Sequence, residues 1–174
     1  MKNLFFIYIE TDLYLAQFIT KHFGVSFPEV ENGLYDQNKK YIELARSSPE
    51  YKLLCLFLDK MPPDKTPERP SPSSLAIRIP LLKDKDPRYG YTYLSDSAKN
   101  CLITHFKSLL DAQVSKDFLE LITFSPNIQI SEFADAWCEV HGIDTDDGKA
   151  PETIRQKFYR MRSSWEKNNK INLI

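Results

Sequence analysis

Two Cys–His pairs have the residue types and spacing of a metal site. Cys101 and His105 are four residues apart and Cys138 and His141 three, so each pair would share one helix face. Two cysteines and two histidines can form a tetrahedral zinc set. Structural zinc sites usually draw on closely spaced cysteines in loops, however, and each residue here lies beside an apolar stripe, where Cys packs as a small hydrophobic residue. We therefore expect no bound metal and no other cofactor.

The sequence carries no motif of an enzyme active site. Phosphate-binding G-x-x-x-x-G-K-[ST] and G-x-G-x-x-G loops, the H-E-x-x-H helix and the G-x-S-x-G nucleophile elbow are all absent. The five glycines are few for a phosphate loop, and the three histidines stand apart. Asp144, Asp146 and Asp147 lack the glycine placement and terminal glutamate of an EF-hand, which favours solvated loop charge. We expect a protein that is not an enzyme.

The charge distribution near the C-terminus is the strongest functional signal. Residues 131–148 include six acidic side chains and no Lys or Arg, whereas residues 149–170 include seven basic and two acidic ones. Because the whole chain has a net charge of only −1, this regional asymmetry says more about partners than the net charge does. A basic helical face is typical of DNA or RNA binding. The alternative is a solvated basic face that closes a small helical domain.

The segment from residue 150 has the pattern of an amphipathic helix. Pro151 and Glu152 suit a first helical turn. Four apolar residues then recur at spacings of four, three and four and predict one buried stripe: Ile154, Phe158, Met161 and Trp165. The opposite face and its shoulders carry the residue types that contact bases, sugars and phosphates: Arg155, Gln156, Lys157, Tyr159, Arg160, Arg162, Ser163 and Lys167.

An acidic amphipathic helix precedes this basic one. Ser131 is expected to cap it and Gly142 to end it in the left-handed conformation. Its predicted buried side consists of Phe133, Ala134, Trp137 and Val140.

Together the two helices, Ser131 to Lys167, resemble a helix-turn-helix segment of DNA-binding proteins such as those encoded by phage-like mobile elements. The resemblance covers only about forty residues, and the connection over 141–150 is longer than the usual turn of about three or four residues. It implies a non-enzymatic DNA-binding protein, a regulator or replication accessory of a mobile element.

The competing hypothesis is a protein-interaction or structural subunit with no nucleic-acid role. Met61 to Ser74 contains five of the eleven prolines, which predicts an extended segment. This segment is either a surface connection or a ligand for a proline-reading domain. Tyr89, Tyr91 and Tyr93 follow a charged loop and could stack bases. The aspartates mixed into that loop favour a plain edge strand instead.

Composition indicates a globular cytoplasmic protein. The 174 residues are 42% hydrophobic and 27% charged, as in ordinary folded proteins, and suffice for one large core or two small ones. No run reaches the ~20 apolar residues of a membrane span, so we expect no membrane partner. Leu4 to Ile9 runs into Glu10 and is too short for a secretory signal. Three separated cysteines argue against a disulfide framework.

The order of elements predicts an α+β fold. Residues 1–94 would form a small β-sheet with helices, and residues 95–174 a mainly helical part ending in the helix-turn-helix-like pair. Leu4 to Ile9 predicts a strand buried on both faces, paired with an alternating strand at Ser74 to Pro80. A strand followed by a helix is similar to ribbon-helix-helix proteins, but their strands present polar residues to DNA and this one is apolar.

Helices are predicted elsewhere from apolar periodicity and caps. The first follows Asp12, with His22 on its buried side, and stops at Gly24. The second covers Asp36 to Arg46, and the third starts at Ser48 and Pro49. The stretch from Ser95 to Phe124 is either one long helix or two helices broken near Ser115.

Overall fold

The computed structural model describes residues 4–27, 40–125, 128–146 and 148–171, with the side chains of the last helix described up to residue 168. The described residues form two antiparallel two-stranded sheets and five α-helices, so the predicted α+β class with a helical C-terminal part is confirmed. In chain order the elements are β1 (Phe6–Glu10), α1 (Leu13–Phe23), α2 (Pro49–Phe57), β2 (Asp59–Lys60), β3 (Ser74–Arg78), β4 (Tyr91–Tyr93), α3 (Asp96–Phe124), α4 (Ile130–Val140) and α5 (Lys149–Ile171).

The chain divides into two compact units, Met1–Phe106 and Lys107–Ile174. The division falls inside α3, whereas the sequence-based boundary at 94/95 coincides with the start of that helix. The stretch from residue 96 to 124 is one helix, which settles the alternative that the sequence left open. Among the described helices, none has the length and apolarity that a bilayer crossing requires.

The sheet of the first unit confirms the predicted pairing of β1 with β3. The strands are antiparallel, with Ile7 opposite Ile77. Ile7 and Ile9 are buried, but Phe6 and Tyr8 on the other face are only half-buried. The prediction of a strand buried on both faces is therefore wrong. Antiparallel sheets often pack one face on the core and leave the other partly open, and side chains alternate between these faces.

α1 and α2, which correspond to the first and third predicted helices, are mostly as predicted. α1 starts after Asp12 and ends before Gly24, whose φ of 80° lies in the region that favours glycine. His22, predicted on its buried side, is exposed. α2 has Pro49 in its first turn, and the Ser48 hydroxyl accepts a hydrogen bond of 3.1 Å from the Tyr51 backbone N–H. α2 ends at Phe57.

The helix predicted over Asp36 to Arg46 does not form in its described part, residues 40–46. Tyr41 instead pairs with Ser26, and Ile42 bridges to Ile77 at the edge of β3. Extended pairing satisfies these backbone groups, and helix propensities of a few tenths of a kcal/mol per residue are too small to compete with it. Residues 36–39 lie outside the described residues.

The second unit packs the end of α3 against α4 and α5. The Phe158 ring of α5 lies 4.9 Å from the Phe133 ring of α4 and 6.1 Å from both the Phe118 ring of α3 and the Trp137 ring of α4. Trp137 and Ala134 are buried, as predicted.

Two details of α4 differ from the prediction. Gln129, not Ser131, occupies the N-cap position, and it makes no side-chain cap hydrogen bond. Val140, expected on the buried side, is 69% exposed because it belongs to the last turn of the helix. The predicted left-handed glycine at the end of α4 is present, since Gly142 has a φ of 70°.

Candidate nucleic-acid interface

Two fully buried residues hold α5 against its own unit. Ile154 and Phe158 are both 0% exposed, as the apolar stripe predicts. Met161, one turn further on, is half-buried. Trp165 is 40% exposed, so the prediction that it is hidden is wrong. Residues 163–168 are all exposed, which shows that α5 continues beyond the packed part of the unit.

The face of α5 opposite this stripe is open. Its residues recur at helical spacing, and all of them are exposed: Gln156, Tyr159, Arg160, Ser163 and Lys167. Tyr159 is 47% exposed although it directly follows the buried Phe158. Arg160 and Lys167 form no ion pair or hydrogen bond with any described residue. We call these five residues the outer face of α5.

The predicted cations on the shoulders of α5 are paired with acids. Arg155 Nη2 lies 3.2 Å from Asp135 Oδ1 of α4, and Arg155 Nη1 lies 2.9 Å from Glu152 Oε2. Lys157 Nζ lies 2.5 Å from Asp111 Oδ1 of α3. These cations are directed to neighbouring carboxylates. Amphipathic periodicity along α5 could not reveal the pairs with Asp135 and Asp111, because these two acids come from other helices.

Two further residues of the predicted nucleic-acid-binding set, Gln156 and Arg162, bind acidic side chains of α5 itself. Arg162 Nε lies 3.2 Å from Glu166 Oε1, and Gln156 Nε2 donates to Glu152 Oε1 over 2.7 Å. Both pairs span four residues, a spacing at which helical side chains meet. Of the predicted set, only Tyr159, Arg160, Ser163 and Lys167 are therefore both exposed and without an ion pair or side-chain hydrogen bond in the described part of the chain.

The connection between α4 and α5 covers residues 141–148, and its described residues include a buried side chain and defined hydrogen bonds. Ile143 is 3% exposed, and its N–H donates to the carbonyl of Cys138 over 2.9 Å. Asp144 Oδ1 accepts a hydrogen bond of 3.0 Å from the N–H of Asp146. Asp147, the third acid of this loop, lies outside the described residues. The buried Ile143 explains how a connection longer than a standard helix-turn-helix turn still fixes the two helices.

A polar cluster that sequence patterns missed joins α3 to α4. The carboxylate of Asp117 accepts a hydrogen bond of 2.8 Å from the indole N–H of Trp137 and lies 3.4 Å from His141 Nε2. Gln113, one turn earlier on α3, also donates to Asp117, over 2.9 Å. The spacing of Gln113 and Asp117 was the one available sequence signal. The cluster positions Trp137, which in turn packs against Phe158 of α5.

Both histidines of the candidate zinc set have other partners. In the first unit, His105 Nε2 lies 2.7 Å from Glu50 Oε1, and Cys101 is exposed. In the second unit, the His141 ring packs against Trp137 with the ring centroids 4.0 Å apart and the rings tilted by 33°. Burial, followed by the nearby Asp135 carboxylate, raises the pKa of the buried Cys138 thiol to about 11. A thiol that resists ionisation is a poor metal ligand. The described residues contain no group of three or more potential ligands.

Comparisons of the chain with protein-family models, with curated proteins and with solved structures find no match. The functional interpretation therefore depends on the residues of α5 and their surroundings.

Proposed function

We propose that this protein is a non-enzymatic DNA-binding protein and that the outer face of α5 contacts the DNA. The observation that carries the proposal is the contrast between two sides of one helix. Ile154 and Phe158 are fully buried, while Gln156, Arg160 and Lys167 on the opposite side are exposed. A rigid helix with one anchored side and one polar, basic side has the form that enters the major groove of DNA.

Each residue of the outer face has a chemical role in such a complex. Arg160 suits bidentate contacts to guanine, and the Gln156 amide, released from Glu152, suits adenine. Tyr159 and Ser163 can donate to phosphate oxygens, and Lys167 adds a positive charge for the phosphate backbone. Arg155, Lys157 and Arg162 are assigned to ion pairs within the protein. The proposed contact set is accordingly smaller than the one that the sequence predicts.

The resemblance of Ser131 to Lys167 to helix-turn-helix segments supports the same proposal. It also carries the finer suggestion of a regulator or replication accessory of a mobile element, which remains part of the proposal. The buried Ile143 provides a means of holding α4 and α5 together across the long connection.

The paired shoulders of α5 favour a second candidate, a protein-interaction or structural subunit. If Arg155 and Lys157 are needed inside the protein, α5 is mainly a structural helix. On that hypothesis Arg160 and Lys167, which have no ion pair among the described residues, would add only solubility.

Salt-dependent binding to duplex DNA separates these candidates. Fluorescence anisotropy with a labelled random duplex is measured over a series of salt concentrations, for the wild type and for Arg160→Ala/Lys167→Ala. Each lost phosphate contact reduces the slope of log K against log salt by ~0.9, so the loss of Lys167 should lower the slope by ~0.9, and the loss of both cations should weaken binding. An RNA duplex of the same length, in the same assay, tests whether the surface prefers DNA.

The matched control is Arg69→Ala/Lys116→Ala, which also removes one Arg and one Lys. Both residues are exposed and form no ion pair or hydrogen bond with the described residues. DNA binding should be unchanged in this control apart from the small effect of net charge. Equal weakening in both double variants would contradict a specific role for α5. Absence of binding to DNA and RNA at low salt would favour the structural subunit.

A further inference from the structure

Two ion pairs join α5 to other helices of the second unit. Arg155 pairs with Asp135 of α4, and Lys157 pairs with Asp111 of α3. Successive residues of a helix are about 100° apart, so Arg155 and Lys157 lie on opposite shoulders of the stripe that contains Ile154. Each shoulder borders the outer face of α5. An acid of another helix therefore holds a cation on each side of the proposed DNA-binding surface.

Both ion pairs are accessible to solvent. Asp135 is 50% exposed and its partner Arg155 29%. Asp111 is 53% exposed and its partner Lys157 28%. Ion pairs at this exposure contribute little to stability, because water and salt compete for both partners. The buried side of α5 already fixes the helix, since Phe158 has no exposed surface. Loss of the two pairs should consequently leave α5 in place and release two cations.

The guanidinium group of Arg155 is also incompletely satisfied in this arrangement. Its Nη atoms donate to Asp135 and Glu152, over 3.2 Å and 2.9 Å. Its Nε–H is buried and has no hydrogen-bond partner in the described part of the chain. A buried donor without a partner costs free energy. An outward rotation of this side chain would return the Nε–H to water or to a phosphate oxygen, so a phosphate at the outer face is a favourable alternative to Asp135.

We propose that Asp111 and Asp135 compete with DNA phosphates for Lys157 and Arg155 and so limit the affinity of α5 for DNA. This inference rests on the proposed function of the outer face. Carboxylates and phosphates both accept charge-assisted hydrogen bonds from Lys and Arg, so one can replace the other. In the free protein each carboxylate occupies a cation that could otherwise hold a phosphate beside the groove. The two acids also place negative charge next to the outer face, which repels the DNA backbone.

Neutralising the two acids tests this competition. Fluorescence anisotropy with the labelled random duplex is measured for the wild type and for Asp111→Asn/Asp135→Asn over a series of salt concentrations. Asn has nearly the shape of Asp but lacks its charge. Each additional phosphate contact steepens the slope of log K against log salt by ~0.9, so the double variant should steepen it by up to ~1.8. Its affinity relative to that of the wild type should then increase by up to about twelvefold from about 200 mM to about 50 mM salt.

Glu120→Gln/Glu139→Gln is the matched control, because it also neutralises one acid of α3 and one acid of α4. Both glutamates are exposed and form no ion pair with the described residues. This variant has the same change in net charge, but it releases no cation of α5, so its slope should remain that of the wild type. An equal gain in affinity in the control would reveal a general effect of charge and overturn the inference.

A reversion variant tests whether the released cations cause the gain. Adding Arg155→Gln/Lys157→Gln to the double Asn variant should return the slope to the wild-type value. A gain that persists without these two cations would contradict the competition. Circular dichroism melts identify any variant that fails to fold. If the double Asn variant does not fold, the single variants Asp111→Asn and Asp135→Asn replace it, and each should steepen the slope by ~0.9.

Failure of this inference is distinguishable from failure of the proposed function. Wild-type protein that binds DNA, together with folded Asn variants whose binding is unchanged or weaker, would refute the competition and leave the role of the outer face standing. Absence of DNA binding in the wild type and in the Asn variants would refute both. Unfolding of both single Asn variants would also overturn the inference, because the ion pairs would then be essential to the fold.

Discussion

Replacing Phe158 with Ala should show how strongly the core of the second unit holds α5. Phe158 is 0% exposed, and rings from α3 and α4 surround it at centroid distances of 4.9–6.1 Å. Phe→Ala substitutions in cores cost about 3–5 kcal/mol, and aromatic pairs add ~0.5–1.5 kcal/mol beyond burial. We therefore expect the free energy of unfolding to fall by about 4 kcal/mol. At a typical urea m-value of ~2 kcal/mol/M, the midpoint moves down by about 2 M.

Tryptophan fluorescence is the appropriate assay for this variant. The chain has two Trp residues, and both Trp137 and Trp165 belong to the second unit, so the signal reports on that unit. Tyr159→Ala is the neighbouring control. Tyr159 is 47% exposed, and its loss should change stability by less than ~0.5 kcal/mol while still weakening DNA binding. A Phe158→Ala midpoint within error of the wild type, or an equal loss in Tyr159→Ala, would refute the assignment of buried and outer faces.

Two pH predictions follow from buried groups. Because the Cys138 pKa is raised to about 11, the unfolded thiol ionises first. Stability should then fall as pH rises above the ordinary value of 9, and Cys138→Ala should flatten this decline in thermal melts at increasing pH. Burial alone would raise the pKa of Glu50, but hydrogen bonds, led by the one from His105, lower it. The stability advantage of the wild type over Glu50→Gln should accordingly be present above pH 4.5 and disappear below it, as measured by urea unfolding.

Local patterns predicted the elements whose signals lie within a few residues. The stripe at Ile154 and Phe158, the glycine that ends α1, and the Ser48–Pro49 start of α2 are all present. These features are local because caps and helical faces involve residues three or four positions apart. The same logic was wrong at Trp165, since periodicity identifies a face but not where the neighbouring helices end.

The amino-acid sequence by itself determined the α+β class, the pairing of β1 with β3 and the direction in which α5 turns its apolar side. Tertiary structure alone decided which of the described cations on α5 are held in ion pairs. Arg155 and Lys157 meet Asp135 and Asp111, residues distant in sequence that the fold brings within ion-pair distance. Likewise, Ile42 pairs with the edge of β3, from which it is more than thirty residues away in the sequence. Coulombic attraction and backbone pairing act over a few ångströms, and distances of that size between residues far apart in the chain exist only once the fold has formed.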